Sequence, residues 1–179
     1  MAAAAEPLLM TVAEYRELPA REDVIQELHW GQVITLTRPK MKHAKLQSRL
    51  VRLLRPKAEH LGVVESEVAF RALPEYEVRG ADVAFISQQR WEATDDDDYL
   101  RGSPDLVIEV LSRSNTKSEM REKATLYLAT GAEEFWIVNP DRKNVTVMLR
   151  QGGTLVYEMG EQIPLALFHN ALSLSDIFI

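Results

Sequence analysis

Two acids stand out because each lies in an apolar run: Asp82 in ADVAFI (81–86) and Glu109 in DLVIEV (105–110). Such runs read as core strands, where an unpaired carboxylate is costly. Lys123 follows Glu109 by fourteen residues, on a predicted helix. Two converging carboxylates and a lysine can do one of two things. They can bind a divalent ion and cut a phosphodiester, or they can form a buried ion pair that only holds the fold together. For the first, Mg2+ or Mn2+ takes oxygen ligands. Asp82 and Glu109 would supply two and the peptide carbonyl of Val110 a third. Glu27, in another strand-like run, would bind through water. The ion would polarise the phosphate and activate a water, with Lys123 orienting that water or offsetting developing charge. For the second, Asp82 is a strand-end acid accepting backbone hydrogen bonds. Glu119, Lys123 and Tyr127 share one helix face, so Lys123 also fits a surface Glu–Lys pair worth about 0.2–0.5 kcal/mol. Spacing alone leaves both readings open.

A second constellation is basic. Residues 38–57 hold eight Lys and Arg and no acid, although the chain as a whole carries a net charge of -6. Lys42, Lys45, Arg49 and Arg52 repeat at helical spacing and form a stripe suited to backbone phosphates. An ordinary solvated helix face mixes signs, so the missing acids favour nucleic-acid contact over that plainer reading. His43 is expected at the helix start, one turn before Gln47, as a hydrogen-bonding group at the site or as a cap. His29, His60 and His169 are scattered and suggest no zinc cluster. The run Asp95–Asp98 is the acidic extreme of the chain.

The elements that must position these residues follow from periodicity and punctuation. Residues 1–10 are expected to be a flexible end, and 11–179 a single domain. Thr11 and Glu14 form a capping-box pattern for a short helix ending before Pro19. Strands are predicted at 24–28 and 32–37, around a Trp30–Gly31 turn. A helix over 41–55 has Leu46, Leu50, Leu53 and Leu54 as its apolar face. Strands follow at 63–70, 79–86 and 106–111, with 91–102 an acidic loop between the last two. Ser114 or Thr116 caps a helix running to about 130, which Gly131 ends. A strand at 133–139 and a hairpin over 145–158 lead to a tail, 172–179, read as a short strand and turn. This order predicts an α/β fold: a central mixed sheet flanked by helices, with additional N-terminal and C-terminal hairpins.

Composition excludes several classes. The 179 residues include no cysteine, which removes disulfides, thiolate metal sites and cysteine nucleophiles. The N-terminus makes a poor signal peptide, and no apolar run approaches membrane-spanning length. With a mean hydropathy of -0.19, the expectation is a cytoplasmic protein. No GxxxxGK[ST], GxGxxG or GxSxG pattern is present.

The segments MTVAEYRELP, RGADVAFI, SPDLVIEVLSRSNT and EKATLYLATGAEEFWIVNP together resemble the Uma2 family, formerly a domain of unknown function. The resemblance covers roughly residues 10–178. It implies a restriction-endonuclease-like fold of the PD-(D/E)xK superfamily, with Asp82 and Glu109 in the two acid positions and Glu27 as the early glutamate. The superfamily's lysine two residues after the second acid is here Leu111, and the resemblance implies that Lys123 on the next helix replaces it. Gln32 stands where a second acid of the early segment is usual, and Ala81 where a proline precedes the Asp. The implied activity is a magnesium-dependent DNA endonuclease, with Mn2+ as a substitute. A symmetric dimer would suit cutting of both strands. The alternative is a nuclease-fold protein that binds nucleic acid or a protein partner without cutting.

Overall fold

The computed structural model describes residues 9–19, 21 and 24–178. The proposed flexible stretch therefore falls largely outside the described residues, although the Met10 amide donates to the Gly31 carbonyl at 2.9 Å. In chain order the elements are α1 (Val12–Arg16), β1 (Ile25–His29), β2 (Gln32–Leu36), α2 (Met41–Leu54), β3 (Gly62–Arg71), β4 (Arg79–Ser87), α3 (Gln88–Ala93), β5 (Leu100–Arg101), β6 (Leu106–Val110), α4 (Lys117–Ala129), β7 (Glu134–Asn139), β8 (Asn144–Leu149), β9 (Thr154–Tyr157), β10 (Gln162–Leu165), β11 (Asn170–Ser173) and α5 (Leu174–Ile177).

Seven strands form the central mixed sheet, in the order β5-β3-β4-β6-β7-β8-β9. β6 and β7 are parallel and joined through α4, while β4 runs antiparallel to β6. The β6–α4–β7 crossover follows from sequence. Every residue of β6 is buried, as expected for a strand covered on both faces. Thr116 and Glu119 close the capping box that starts α4. Helices cover both faces. α2 lays Leu46, Leu50 and Leu54 on Val83, Phe85, Ile108 and Trp136, and the C-terminal segment joins this layer through Leu172, Leu174 and Ile177. α4 packs Met120, Ala124 and Tyr127 against Ala84, Ile86, Val107 and Phe135 on the other face. N-terminal and C-terminal hairpins, β1–β2 and β10–β11, lie outside the central sheet. No helix among the described residues is long and apolar enough to cross a membrane.

Three local expectations are corrected. Residues 91–102 are not all loop: α3 extends through Ala93 and β5 pairs with the end of β3. The hairpin expected over 145–158 forms, but as β8 and β9 of the central sheet. After β11 the tail forms α5, whose first turn Ser173 caps; Ile179 lies outside the described residues.

A distortion in β3 and β4 sets the direction of Asp82. Side chains on a strand alternate between faces, yet Val64 joins the α2 layer while Phe70, of the same parity, joins the α4 layer. On β4, Val83 belongs to the α2 layer and Ala81 to the α4 layer. The alternation inverts where Glu67 faces Asp82. Glu67 has φ of 56°, and its residue pair is missing from an otherwise continuous register. The left-handed residue re-aims the strand and turns Asp82 toward α2.

Candidate active site

Asp82, Glu109, Lys123 and Glu27 come from four elements and meet at one end of the sheet. Glu109 is the next-to-last residue of β6, 6% exposed, and Lys123 of α4 is 7% exposed. Lys123 Nζ donates to Glu109 Oε2 at 2.8 Å. The short connection from β6 to α4 makes this reach possible, since Ser112–Asn115 turns the chain sharply and Thr116 starts the helix. Asp82 lies beside the same strand end: its Oδ2 accepts from the Val110 amide at 2.6 Å. Its Oδ1 accepts from the Gln47 amide of α2 at 3.0 Å.

Glu27 arrives on β1, which docks on the start of β4 through one bridge between Leu28 and Val78. Its Oε1 accepts from the Gly80 amide at 3.0 Å and its Oε2 lies 2.5 Å from His29 Nε2. A Cβ at position 80 would sit 3.1 Å from Glu27 Oε1, so glycine here permits the close approach. Tyr127, one helical turn beyond Lys123, is fully buried. Behind the cluster, Arg79 bonds Glu77 at 2.6 Å and Glu122 at 2.8 Å. Glu77 also accepts from the Trp30 amide at 2.8 Å, tying the β1–β2 turn to β4.

The electrostatics are those of an acid-rich pocket with one lysine. Burial pushes the Glu109 carboxyl up to about 8. The Lys123 charge opposes that rise, while Asp82 and Glu27 add to it. Burial acts to lower Lys123, but Glu109, Glu27 and Asp82 outweigh it and hold the ammonium above its ordinary value. Burial also works against the Glu27 charge; His29, Lys123 and the Gly80 amide more than offset it, and Glu27 is lowered. Glu109 Oε1 and the Tyr127 hydroxyl are both buried without a hydrogen-bond partner. An orphaned carboxylate oxygen in such a pocket is expensive.

The residues therefore fit a divalent cation in chemistry, being hard oxygen donors with one oxygen unsatisfied. They are not drawn into a finished ligand shell: among the described residues no three His, Asp or Glu side chains converge tightly enough to hold an ion. His43 adjoins two of these oxygens. Expected at the start of α2, it points inward, with Nε2 at 3.1 Å from Asp82 Oδ2 and 3.0 Å from the Val110 carbonyl oxygen. Burial disfavours its charge, but Asp82 and the Val110 carbonyl outweigh burial and raise it.

The basic stripe lies elsewhere. His43, Leu46, Gln47 and Leu50 form the inward face of α2, and at about 100° per residue Lys45 and Arg52 fall roughly on the opposite side. Both are exposed. Lys42 pairs with Asp141 at 2.9 Å, and Arg49 donates to the Ile177 carbonyl at 3.2 Å. The acidic run is tied down at the β5 edge, where Asp98 faces Arg71, Arg16 and Arg101.

Two contributors are missing from the residue-type reading. His29 shares a strand face with Glu27 at i, i+2, a signal visible in the sequence. Glu67 gives none: its left-handed backbone turns the strand, and its carboxylate accepts from the Gln47 side-chain amide that also holds Asp82.

A sequence model of the Uma2 family, described as "Putative restriction endonuclease", matches residues 12–176. No curated protein matches the chain. Among solved structures, the crystal structure of a protein from Anabaena variabilis, described as a "putative nuclease belonging to DUF820", superposes with a TM-score of 0.79. It shares 22% identity over 94% of this chain and 97% of that one, a likeness of fold. Nearly the whole chain thus carries the family's pattern on the family's architecture, and it belongs to the Uma2 family, within the PD-(D/E)xK-like superfamily.

Proposed function

We propose that the protein is a divalent-metal-dependent DNA endonuclease, with Asp82, Glu109 and the Val110 carbonyl holding the ion and Glu27 contributing through water. The observation that carries this reading is the lone oxygen of Glu109. A carboxylate kept only for a salt bridge with Lys123 should have both oxygens satisfied. Here Oε2 takes the lysine, while Oε1 is buried and unpartnered among two further acids. A bound Mg2+ or Mn2+ would supply the missing positive charge and polarise a phosphodiester.

The chain's own residues divide the remaining work. Asp82 is oriented by the Val110 amide and Gln47. Lys123 keeps its proton and presents a positive charge where a phosphate gains negative charge during displacement. Glu27 lowers the cost of that buried ammonium. The outward face of α2 suits phosphates of a duplex that continues past the helix, not the strand at the carboxylates. A symmetric dimer in the cytoplasm, cutting both strands, completes the proposal.

The test is calorimetric Mn2+ titration beside a plasmid-nicking assay, comparing native protein with Asp82→Ala and Lys123→Ala. Binding and nicking by native protein, loss of both in Asp82→Ala, and loss of nicking with retained binding in Lys123→Ala are expected. Unchanged Mn2+ binding in Asp82→Ala overturns the site. Binding without cleavage of any DNA by the native protein favours a binding role for the fold.

A further inference from the structure

We infer that His43 is itself a metal ligand, and that it makes the site selective for manganese-class cations over magnesium; the inference rests on the carboxylate site proposed above. Its Nε2 is 3.1 Å from Asp82 Oδ2 and 3.0 Å from the Val110 carbonyl oxygen, two of the atoms assigned to the ion. Adjacent donors around an octahedral ion with bonds of about 2.0–2.1 Å are about 3 Å apart. The imidazole therefore already stands at the separation that neighbouring positions of one coordination sphere require.

The surroundings support a ligand rather than a spectator. His43 is fixed on the inward face of α2, among Leu46 and Leu50, so the ring is carried by a packed helix and not by a loop. Nδ1 is buried with no hydrogen-bond partner. Nε2, set between two acceptor oxygens, carries the ring proton in the metal-free protein and stands where a cation would take that proton's place. With the proton on Nδ1 the Nε2 lone pair is free for a cation, and any second proton leaves to solvent. Gln47, one turn on, holds Asp82 from the same helix, so α2 positions both the nitrogen and the carboxylate. A mixed nitrogen–oxygen set favours a transition ion, because imidazole binds such ions well whereas magnesium keeps to oxygen and water.

The experiment compares Mn2+ and Mg2+ affinities, by calorimetry, for native protein, His43→Ala, His43→Gln and Asp82→Ala. Nitrogen coupling is measured on bound Mn2+ by electron spin-echo modulation, and near-ultraviolet circular dichroism identifies any variant that has lost its packing. Native protein is expected to show imidazole nitrogen coupled to Mn2+. In both His43 variants that coupling should vanish and the ratio of Mn2+ to Mg2+ affinity should fall by at least about tenfold, with Mg2+ binding retained. Bound Mn2+ without nitrogen coupling, or an affinity ratio unchanged in a folded His43 variant, overturns the role of His43 and leaves the carboxylate site standing. Absence of Mn2+ binding by native protein overturns both.

Discussion

Glu109→Gln should stabilise the metal-free protein near neutral pH. The Glu109 carboxyl is raised from an ordinary value of 4.5 to about 8 in the folded state. Between those values the native state holds a proton that the unfolded chain has released, so stability falls as pH rises through the window and levels off above it. At about 1.4 kcal/mol per unit, the Glu109 contribution across the window is on the order of 3–5 kcal/mol, with the opposing charge of Lys123 already contained in the raised value. Glutamine keeps an oxygen to accept from Lys123 Nζ and has no proton to lose. Lys123 retains the charges of Glu27 and Asp82.

The assay is urea unfolding at pH 5 to 9 with chelator present. Native stability should decline across the window, and the difference between variant and native should grow by roughly 2–4 kcal/mol between pH 5 and pH 8. His43 is also raised and contributes a decline of the same sign, since a raised histidine stabilises below its folded value and ceases to above it. That part is common to both proteins and cancels in the difference. Parallel profiles for native and Glu109→Gln would refute the reasoning, because they would mean that Glu109 releases its proton in the folded protein as easily as in the unfolded chain.

Four further outcomes are expected. Arg79→Ala leaves the buried Glu77 carboxylate unpaired and should cost about 3–5 kcal/mol in urea unfolding. Glu67→Val places a β-branched residue at φ of 56° and should lose about 1–2 kcal/mol together with Mn2+ affinity, whereas loss of stability alone would separate Glu67 from the aim of Asp82. Gly80→Ala puts a methyl group against Glu27 Oε1 and should reduce nicking more than stability; equal activity would argue that Glu27 is dispensable. The double variant Lys45→Ala, Arg52→Ala should leave Mn2+ binding intact and lower the salt slope of long-duplex binding by about two. An unchanged slope would remove α2's outward face from the DNA interface.

Much of the site was legible because strand burial makes polar exceptions visible. Glu109 inside LVIEV could not be an ordinary surface acid, and the structure buries it in a five-residue strand with no exposed position. The helix carrying Lys123 was readable from its Thr116 cap. That Lys123 reaches Glu109 was not, because spacing across a loop sets no direction; the turn at Ser112–Asn115 does. The basic residues of α2 were readable as a stripe, but Leu46 and Leu50 occupy the inward face, so the stripe had to face solvent while His43 turned to the carboxylates. β10 escaped notice because Pro164 interrupts a four-residue strand; at the hairpin outside the central sheet the proline is tolerated. Glu67 had no sequence signal, since a glutamate in the left-handed region is selected by the surrounding sheet and not by its own preference.

Binding of a divalent cation by Asp82, Glu109 and the Val110 carbonyl, beside Lys123, is the step on which the proposed chemistry depends. Anomalous diffraction from a crystal soaked in Mn2+ tests it most directly. The expected result is a peak within coordination distance of Asp82 Oδ2, Glu109 Oε1 and the Val110 carbonyl oxygen, with Lys123 Nζ close by but not ligating. A fully soaked crystal with no peak there, or with manganese bound only at a remote surface such as the Asp95–Asp98 run, would contradict it.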